Sequence, residues 1–255
     1  MSMKIAVAGK GGTGKTTISA LLCRALIERK LSPVLAVDAD PNSCLAEKLG
    51  LKVDRTIGGL REELRKKPDD KPAGIGKSEW IERLINESVI ESAGMDLLVM
   101  GRQEGPSCYC YINNLLRDCL EQLGGKYKTV VVDNEAGMEH LSRRSNGKVD
   151  VLLVVAQPTM LGARTAVRIM ELVKDLDLDV GRAYLVLNQC DSMPEGAVLR
   201  EFNKACIEMA PMIPSDEVVA EMDVRNVSLM TLPARSKAFV MVNALLNKIL
   251  ERREI

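Results

Sequence analysis

Residues 9–17 read "GKGGTGKTT", and Gly9, Gly14, Lys15 and Thr16 satisfy the spacing G-x-x-x-x-G-K-[ST]. That pattern suits the binding of a polyphosphate. Glycines let successive backbone N–H groups turn inward around phosphate oxygens, and a helix starting at the lysine adds its positive N-terminal end. Lys15 can then reach the β- and γ-oxygens while the Thr16 hydroxyl ligates Mg²⁺. Gly11, Gly12, Thr13 and Thr17 complete the cradle. A glycine-rich turn without a ligand would leave the Lys15 and Thr16 pair unexplained.

Two further segments end apolar runs on carboxylates: "VDADPN" (37–42) with Asp38 and Asp40, and "VVVDNEAG" (130–137) with Asp133. Carboxylates beside a phosphate cradle can hold Mg²⁺ through water or accept a proton from water attacking in line. For any one of them taken singly, a helix cap is the commoner explanation. Two such strand ends together with the loop favour the catalytic reading.

A third kind of chemistry is suggested by "GPSCYCYINN" (105–114), which places Cys108 and Cys110 one residue apart. In an extended segment such residues point to the same side, with Cα atoms roughly 6.5 to 7 Å apart. That lies at or beyond the reach of about 6.8 Å for an easy disulfide. It does allow two thiolates to meet one zinc-like ion at about 2.3 Å each, and a second copy of the pair across a two-fold axis would close the site. Taken alone, the motif fits a structural thiol pair as well as half a metal site. Tetrahedral thiolate suits Zn²⁺ and square-planar thiolate suits Ni²⁺. Cys119, Cys44 and the only histidine, His140, read as packed or polar residues, and Cys23, Cys190 and Cys206 as small core or boundary residues.

The elements that must position these groups follow from the apolar pattern. "KIAVAG" (4–9), "PVLAVD" (33–38), "MDLLVM" (95–100), "KTVVVD" (128–133), "DVLLVVA" (150–156) and "RAYLVLN" (182–188) are continuous apolar runs of strand length. Runs without polar alternation predict parallel strands covered on both faces. "CIEMAPMIP" (206–214) is a weaker seventh candidate. Helical periodicity is clearest over 16–30, 111–125, 163–176 and 238–253. The alternation predicts a doubly wound α/β fold, mostly parallel, with ligands at the carboxyl ends of the strands. The expectation is one domain over 1–255, with a helical insertion near 51–93, a charged loop at 65–77 and the C-x-C segment near 105–114.

The chain has 255 residues, enough to bury a core without staples, and 35 basic residues balance 35 acidic ones. No broad basic field is available for nucleic acid. The seven cysteines are odd in number and no export signal or membrane span is evident, so a cytoplasmic protein without a disulfide framework is expected.

Lys10, directly after the first glycine, gives the "KGGTGKT" form, which resembles the deviant Walker A loop of the MinD/ParA/nitrogenase-iron-protein group of P-loop ATPases. The resemblance implies that Lys10 reaches the nucleotide of a facing subunit. It makes Asp38 and Asp40 switch I residues, with Asp40 orienting the attacking water, Asp133 the Walker B carboxylate, and Gly137 the sensor of the γ-phosphate. Asn188, Pro214 and Asp216 match the places where the group holds adenine.

"CYCYINNLLR", "DNEAGMEHLSR" (133–143) and "DADPNSCLAEKLG" (38–50) together resemble the CooC-type nickel ATPases. That resemblance implies an ATP-hydrolysing homodimer which delivers Ni²⁺, or holds Zn²⁺, at Cys108 and Cys110, with carbon monoxide dehydrogenase or acetyl-CoA synthase as client. One alternative is an iron-sulfur cluster carrier. Another is a MinD/ParA-like positioning ATPase, for which the amphipathic helix at 238–253 raises membrane binding, although sheet cover explains it as well. The expected partners include neither nucleic acid nor membrane.

Overall fold

The computed structural model describes residues 2–66, 74–101, 125–135 and 148–251. Eight strands form one sheet: β1 (Met3–Gly9), β2 (Val34–Asp38), β3 (Ile90–Ser92), β4 (Met95–Val99), β5 (Thr129–Asp133), β6 (Val149–Ala156), β7 (Val180–Leu187) and β8 (Glu208–Met209). Their order is β3-β4-β2-β5-β1-β6-β7-β8, and every pairing is parallel except β3 with β4.

The six apolar runs are six of these strands. Residues of β2 and β5 are buried throughout, as cover on both faces requires. The seventh candidate shrinks to the two residues of β8, after which Ile213 makes one further bridge to Asn188. β3 carries no apolar signal because it is a short, largely exposed edge turning back onto β4 through Gly94 at φ +81°.

The described helices are α1 (Lys15–Glu28), α2 (Cys44–Leu49), α3 (Ile57–Lys66), α4 (Lys77–Glu87), α5 (Met160–Asp175), α6 (Gly196–Asn203), α7 (Glu217–Val224) and α8 (Lys237–Glu251). Successive residues of each strand serve opposite layers. On one face Ile5, Val7, Ala36, Val131 and Leu153 pack with α1, α2, α7 and α8. On the other, Ala6, Leu152, Val154 and Leu185 meet α5 and α6.

Among the described residues, the remaining cover of that second face comes from α3 and α4. Ile57, Leu60, Leu84 and Ile85 pack on Leu35, Val37, Leu98, Val130 and Val132, with Trp80 against the cluster. The 51–93 stretch therefore supplies a layer of the core. Its two described helices are strongly amphipathic and turn their apolar sides onto the β2, β4 and β5 side chains.

Two polar braces tie the end of the chain to this frame. Arg24 of α1 donates to the carbonyls of Leu229 and Leu232 and lies over the Phe239 ring of α8, 4.1 Å from its centroid. Lys48 of α2 pairs with Asp223 of α7, and the Ser228 hydroxyl donates to the Lys48 carbonyl at 3.2 Å.

Candidate active site

The 9–17 loop runs from the last residue of β1 into the first turn of α1. Gly14 caps that helix at φ +88°, and a Cβ there would lie 2.2 Å from Asn188 Nδ2. At Gly9 a Cβ would lie 2.2 Å from the Val155 carbonyl oxygen of the neighbouring strand. Only glycine fits either place. No side chain caps α1 and its first turn carries no acidic residue, so its leading N–H groups stay available to an anion.

Inside the loop the Lys10 carbonyl is a hub. It accepts from Thr13 Oγ1 at 2.8 Å and from Lys15 Nζ at 3.3 Å. Lys10 itself is exposed, whereas Lys15 is buried. Burial lowers the Lys15 pKa, against the pull of Asp133, Asp40 and Glu135, whose charges favour the ammonium.

The carboxylates come from the two strand ends flanking this loop on one side. Asp38 and Asp133 are direct partners in the β2–β5 register. Asp38 accepts from the backbone N–H of Asp40 at 3.1 Å and of Leu45 at 2.8 Å, so it organises the turn into α2. Asp40 accepts from the Asn42 backbone at 2.8 Å and from its Nδ2 at 3.0 Å. Asp133 accepts from the Ser19 hydroxyl at 3.0 Å and from Thr16. Burial is the main cause that raises both pKa values, Asp38 to about 7 and Asp133 to about 6. Two buried carboxylates that resist ionisation beside a hydroxyl and a lysine suit a site that receives a cation.

Asn188, on the opposite side, is buried at the end of β7 and donates through Nδ2 to the Thr13 carbonyl at 2.8 Å. Pro214 follows Ile213, which bridges to Asn188, and is half-buried. In the structure Asp216 starts two helices. Its carboxylate accepts from the N–H groups of Val218 and Val219 at the start of α7, and from the Ser236 hydroxyl and the Ala238 N–H at the start of α8. Partial burial works to raise its pKa, but the hydrogen bonds from Ser236, Ala238, Val219 and Val218 prevail and lower it.

The structure thus brings Lys10, Lys15, Thr16, Asp38, Asp40, Asp133 and Asn188 around one loop. Cys108, Cys110, Gly137, Cys119 and His140 lie outside the described residues. Among the described residues, no cluster of three or more His, Cys, Asp or Glu side chains is placed to hold a metal ion. Cys23 is buried, with its thiol pushed to about 12 by burial, and Cys190 is buried too. Cys206 departs from the core reading: it is exposed, at φ +52° just after α6, because the apolar run around it turns there.

Three residues of this site are not singled out by the sequence patterns. Ser19 lies one turn after Lys15 and three residues after Thr16, so helical spacing could have found it. Asn134 is buried, its backbone donates to Val7 O, and its Nδ2 donates to Val7 O at 3.0 Å and Val132 O at 3.3 Å. Glu135 follows it directly, and its charge reaches Lys15. No sequence spacing marks Asn134 or Glu135, because their placement depends on β1 and β5 being neighbours.

Comparison with known proteins agrees with this geometry. Residues 4–229 match the family described as the CobQ/CobB/MinD/ParA nucleotide binding domain. The chain is 39% identical over 253 residues to an uncharacterised ATP-binding protein of Methanocaldococcus jannaschii, covering 98% of this chain and 100% of that one. It is 30% identical over 260 residues to the carbon monoxide dehydrogenase accessory protein CooC of Rhodospirillum rubrum, covering 97% of each. Among solved structures, the septum site-determining protein MinD of Pyrococcus horikoshii, complexed with Mg-ADP, superposes with a TM-score of 0.71. That match covers 100% of this chain and 98% of the other at 20% identity, a likeness of fold. The loop, the strand-end carboxylates and the parallel sheet therefore have one explanation: this chain belongs to the CobQ/CobB/MinD/ParA nucleotide-binding family and is a P-loop ATPase.

Proposed function

We propose that the protein is an ATP-hydrolysing metallochaperone that delivers nickel to the metal cluster of carbon monoxide dehydrogenase or acetyl-CoA synthase. The observation that carries this reading is the C-x-C pair, Cys108 and Cys110, on a chain similar over 97% of its length to a carbon monoxide dehydrogenase accessory protein. Nickel is cargo in this scheme, held by four thiolates when two copies of the chain meet; zinc would fit the same ligands.

The nucleotide site fits Mg²⁺ and ATP on the chain's own geometry. A glycine loop that tolerates no Cβ at Gly9 or Gly14, an uncapped helix start and a buried lysine receive phosphate. Thr16 would hold Mg²⁺ directly, with Asp38 and Asp133 behind it through water. When bound, Mg²⁺ supplies charge neutralisation to the β- and γ-phosphates.

In the proposed reaction Lys15 stabilises charge on the transferred phosphoryl group, and Asp40 orients the attacking water. Lys10, the exposed lysine of the loop, reaches the nucleotide of the second copy. Gly137 responds to the γ-phosphate. Asn188 braces the loop at Thr13 and, with Pro214 and Asp216, borders the adenine side. Hydrolysis then changes the relation of the two copies, and the metal follows through its different affinity for the two arrangements.

The test is metal stoichiometry and molecular size of anaerobic protein given Ni²⁺ and ATP, for the native chain, Cys108→Ser and Cys110→Ser. One metal per dimer, lost in both variants while nucleotide still binds, is the expected result. Metal retained by both variants would sink the chaperone reading. Lys15→Ala, assayed alongside, should lower ATP turnover about a hundredfold or more.

A further inference from the structure

We propose that the Thr13 hydroxyl is a positioning group for Lys15: by holding the Lys10 carbonyl, it keeps the lysine ammonium weakly bound there and ready to move onto phosphate. The inference rests on the reading of this loop as the nucleotide site. Thr13 stands at a place in the loop where the spacing G-x-x-x-x-G-K-[ST] prescribes no residue type.

Three donors converge on the Lys10 carbonyl oxygen. The Thr13 hydroxyl is nearest at 2.8 Å, Lys15 Nζ lies at 3.3 Å and the Thr13 N–H at 3.4 Å. An oxygen with two lone pairs cannot serve three donors equally. The hydroxyl takes the short bond, and the other two are left beyond the usual range of N–H···O contacts. That outcome is unusual for Lys15, because an ammonium ordinarily makes the shorter and stronger bond to a carbonyl.

The hydroxyl is fixed in its place from the opposite side. Asn188 Nδ2 donates to the Thr13 carbonyl at 2.8 Å, and Thr13 is buried. Gly12 at φ +78° and Gly14 at φ +88° bend the chain on either side of it, which folds Thr13 back towards Lys10. Any other rotamer would give up the hydroxyl's bond inside the protein, at the cost of an unpaired polar group.

To reach the β- and γ-oxygens, the Lys15 ammonium exchanges its bond to the Lys10 carbonyl for bonds to phosphate. The stronger the first bond, the smaller the gain from the exchange. With the hydroxyl removed, the ammonium becomes the strongest donor left to that carbonyl, and its bond tightens. Nucleotide affinity then falls through Lys15, with no need for Thr13 to touch phosphate through its side chain.

The experiment measures Mg-ADP affinity and the denaturant midpoint for the native chain, Thr13→Val, Thr13→Ala, Thr13→Ser, Lys15→Ala and the double variant Thr13→Val with Lys15→Ala. Thr13→Val keeps the shape and loses the hydroxyl; it should bind Mg-ADP about three- to tenfold more weakly, and Thr13→Ala likewise. Thr13→Ser returns the hydroxyl and should bring affinity back to within about twofold of native. In the Lys15→Ala background, Thr13→Val should change affinity by less than about twofold, since no ammonium remains to be held. Native affinity in Thr13→Val and Thr13→Ala, or a loss in Thr13→Ser as large as theirs, would overturn the proposal. So would an undiminished Thr13→Val loss in the Lys15→Ala background, which would make the hydroxyl a structural tie or a direct phosphate contact. Native protein that does not bind Mg-ADP, or Lys15→Ala that binds it as tightly as native, would overturn the site reading itself.

Discussion

Asp38 and Asp133 stand directly opposite one another on neighbouring parallel strands, in register, and both carboxylates are buried. With pKa values raised to about 7 and about 6, the native state retains protons that an unfolded chain releases near pH 4. The sign follows from linkage. Their contribution to stability is fully present below the unfolded value and is lost as pH rises through about 6 and about 7. In metal-free buffer, urea melts at pH 5 and pH 8 should show the native chain losing on the order of 2 kcal/mol more than Asp38→Asn over that interval. Equal losses in the two proteins would remove Asp38 as the cause.

Gly14 and Asn188 are in contact so close that a single methyl group should break it. Gly14→Ala puts a Cβ against Asn188 Nδ2 and forces a residue with a side chain to φ +88°, so stability should fall by about 1–3 kcal/mol and nucleotide affinity with it. Adding Asn188→Ala removes the clash but leaves the backbone strain. The double variant should recover part of the loss, a coupling on the order of 1 kcal/mol. Strictly additive losses would show that the contact is not responsible.

Asp216 starts two helices at once. Replacing it with alanine strands the first-turn N–H groups of α7 and α8 and leaves the Ser236 hydroxyl without its acceptor. Asp216→Ala should therefore lower stability by about 2–3 kcal/mol, and Ser236→Ala by about 1 kcal/mol. Denaturant midpoints read this directly. A lowered ATP affinity with an unchanged midpoint would instead make Asp216 a nucleotide contact alone.

Leu84 belongs to the layer that α4 lays over the sheet, and is buried against the cluster with Leu35, Val37 and Leu98. Leu84→Ala should cost about 2–4 kcal/mol. The fluorescence of Trp80, the single tryptophan, is expected to report the same cooperative transition as circular dichroism. A separate early transition at Trp80 would mean that α3 and α4 fold apart from the sheet.

Much of this was legible in the sequence, and for identifiable reasons. The buried strands announce themselves because a strand covered on both faces needs apolar side chains at every position. The phosphate loop is equally plain, since its chemistry is local: glycines, lysine and threonine act within one turn of chain. β3 escaped notice and β8 gave only the weak signal at 206–214, as edges two or three residues long bury too little to leave a pattern. The helices α2, α6 and α7 are short as well, and α2 has only six residues.

Asp216 shows the limit of residue type as a guide. Its carboxylate could serve a base or a helix, and its part in the helix starts is visible only in the meeting of 216 with 236 and 238. Cys206 shows the same limit for apolar surroundings: a left-handed turn after α6 puts it outside.

The sequence by itself determined the sheet's inner strands, the loop that cradles phosphate and the carboxylates that end two strands, because these depend on neighbours within a few residues. Tertiary structure alone decided that Asp38 faces Asp133, that α3 and α4 pack over β2, β4 and β5, and that Asn188 grips Thr13. Those relationships join residues far apart in the chain. They exist because the strand order places β5 between β1 and β2, and no spacing along one segment encodes which strands become neighbours.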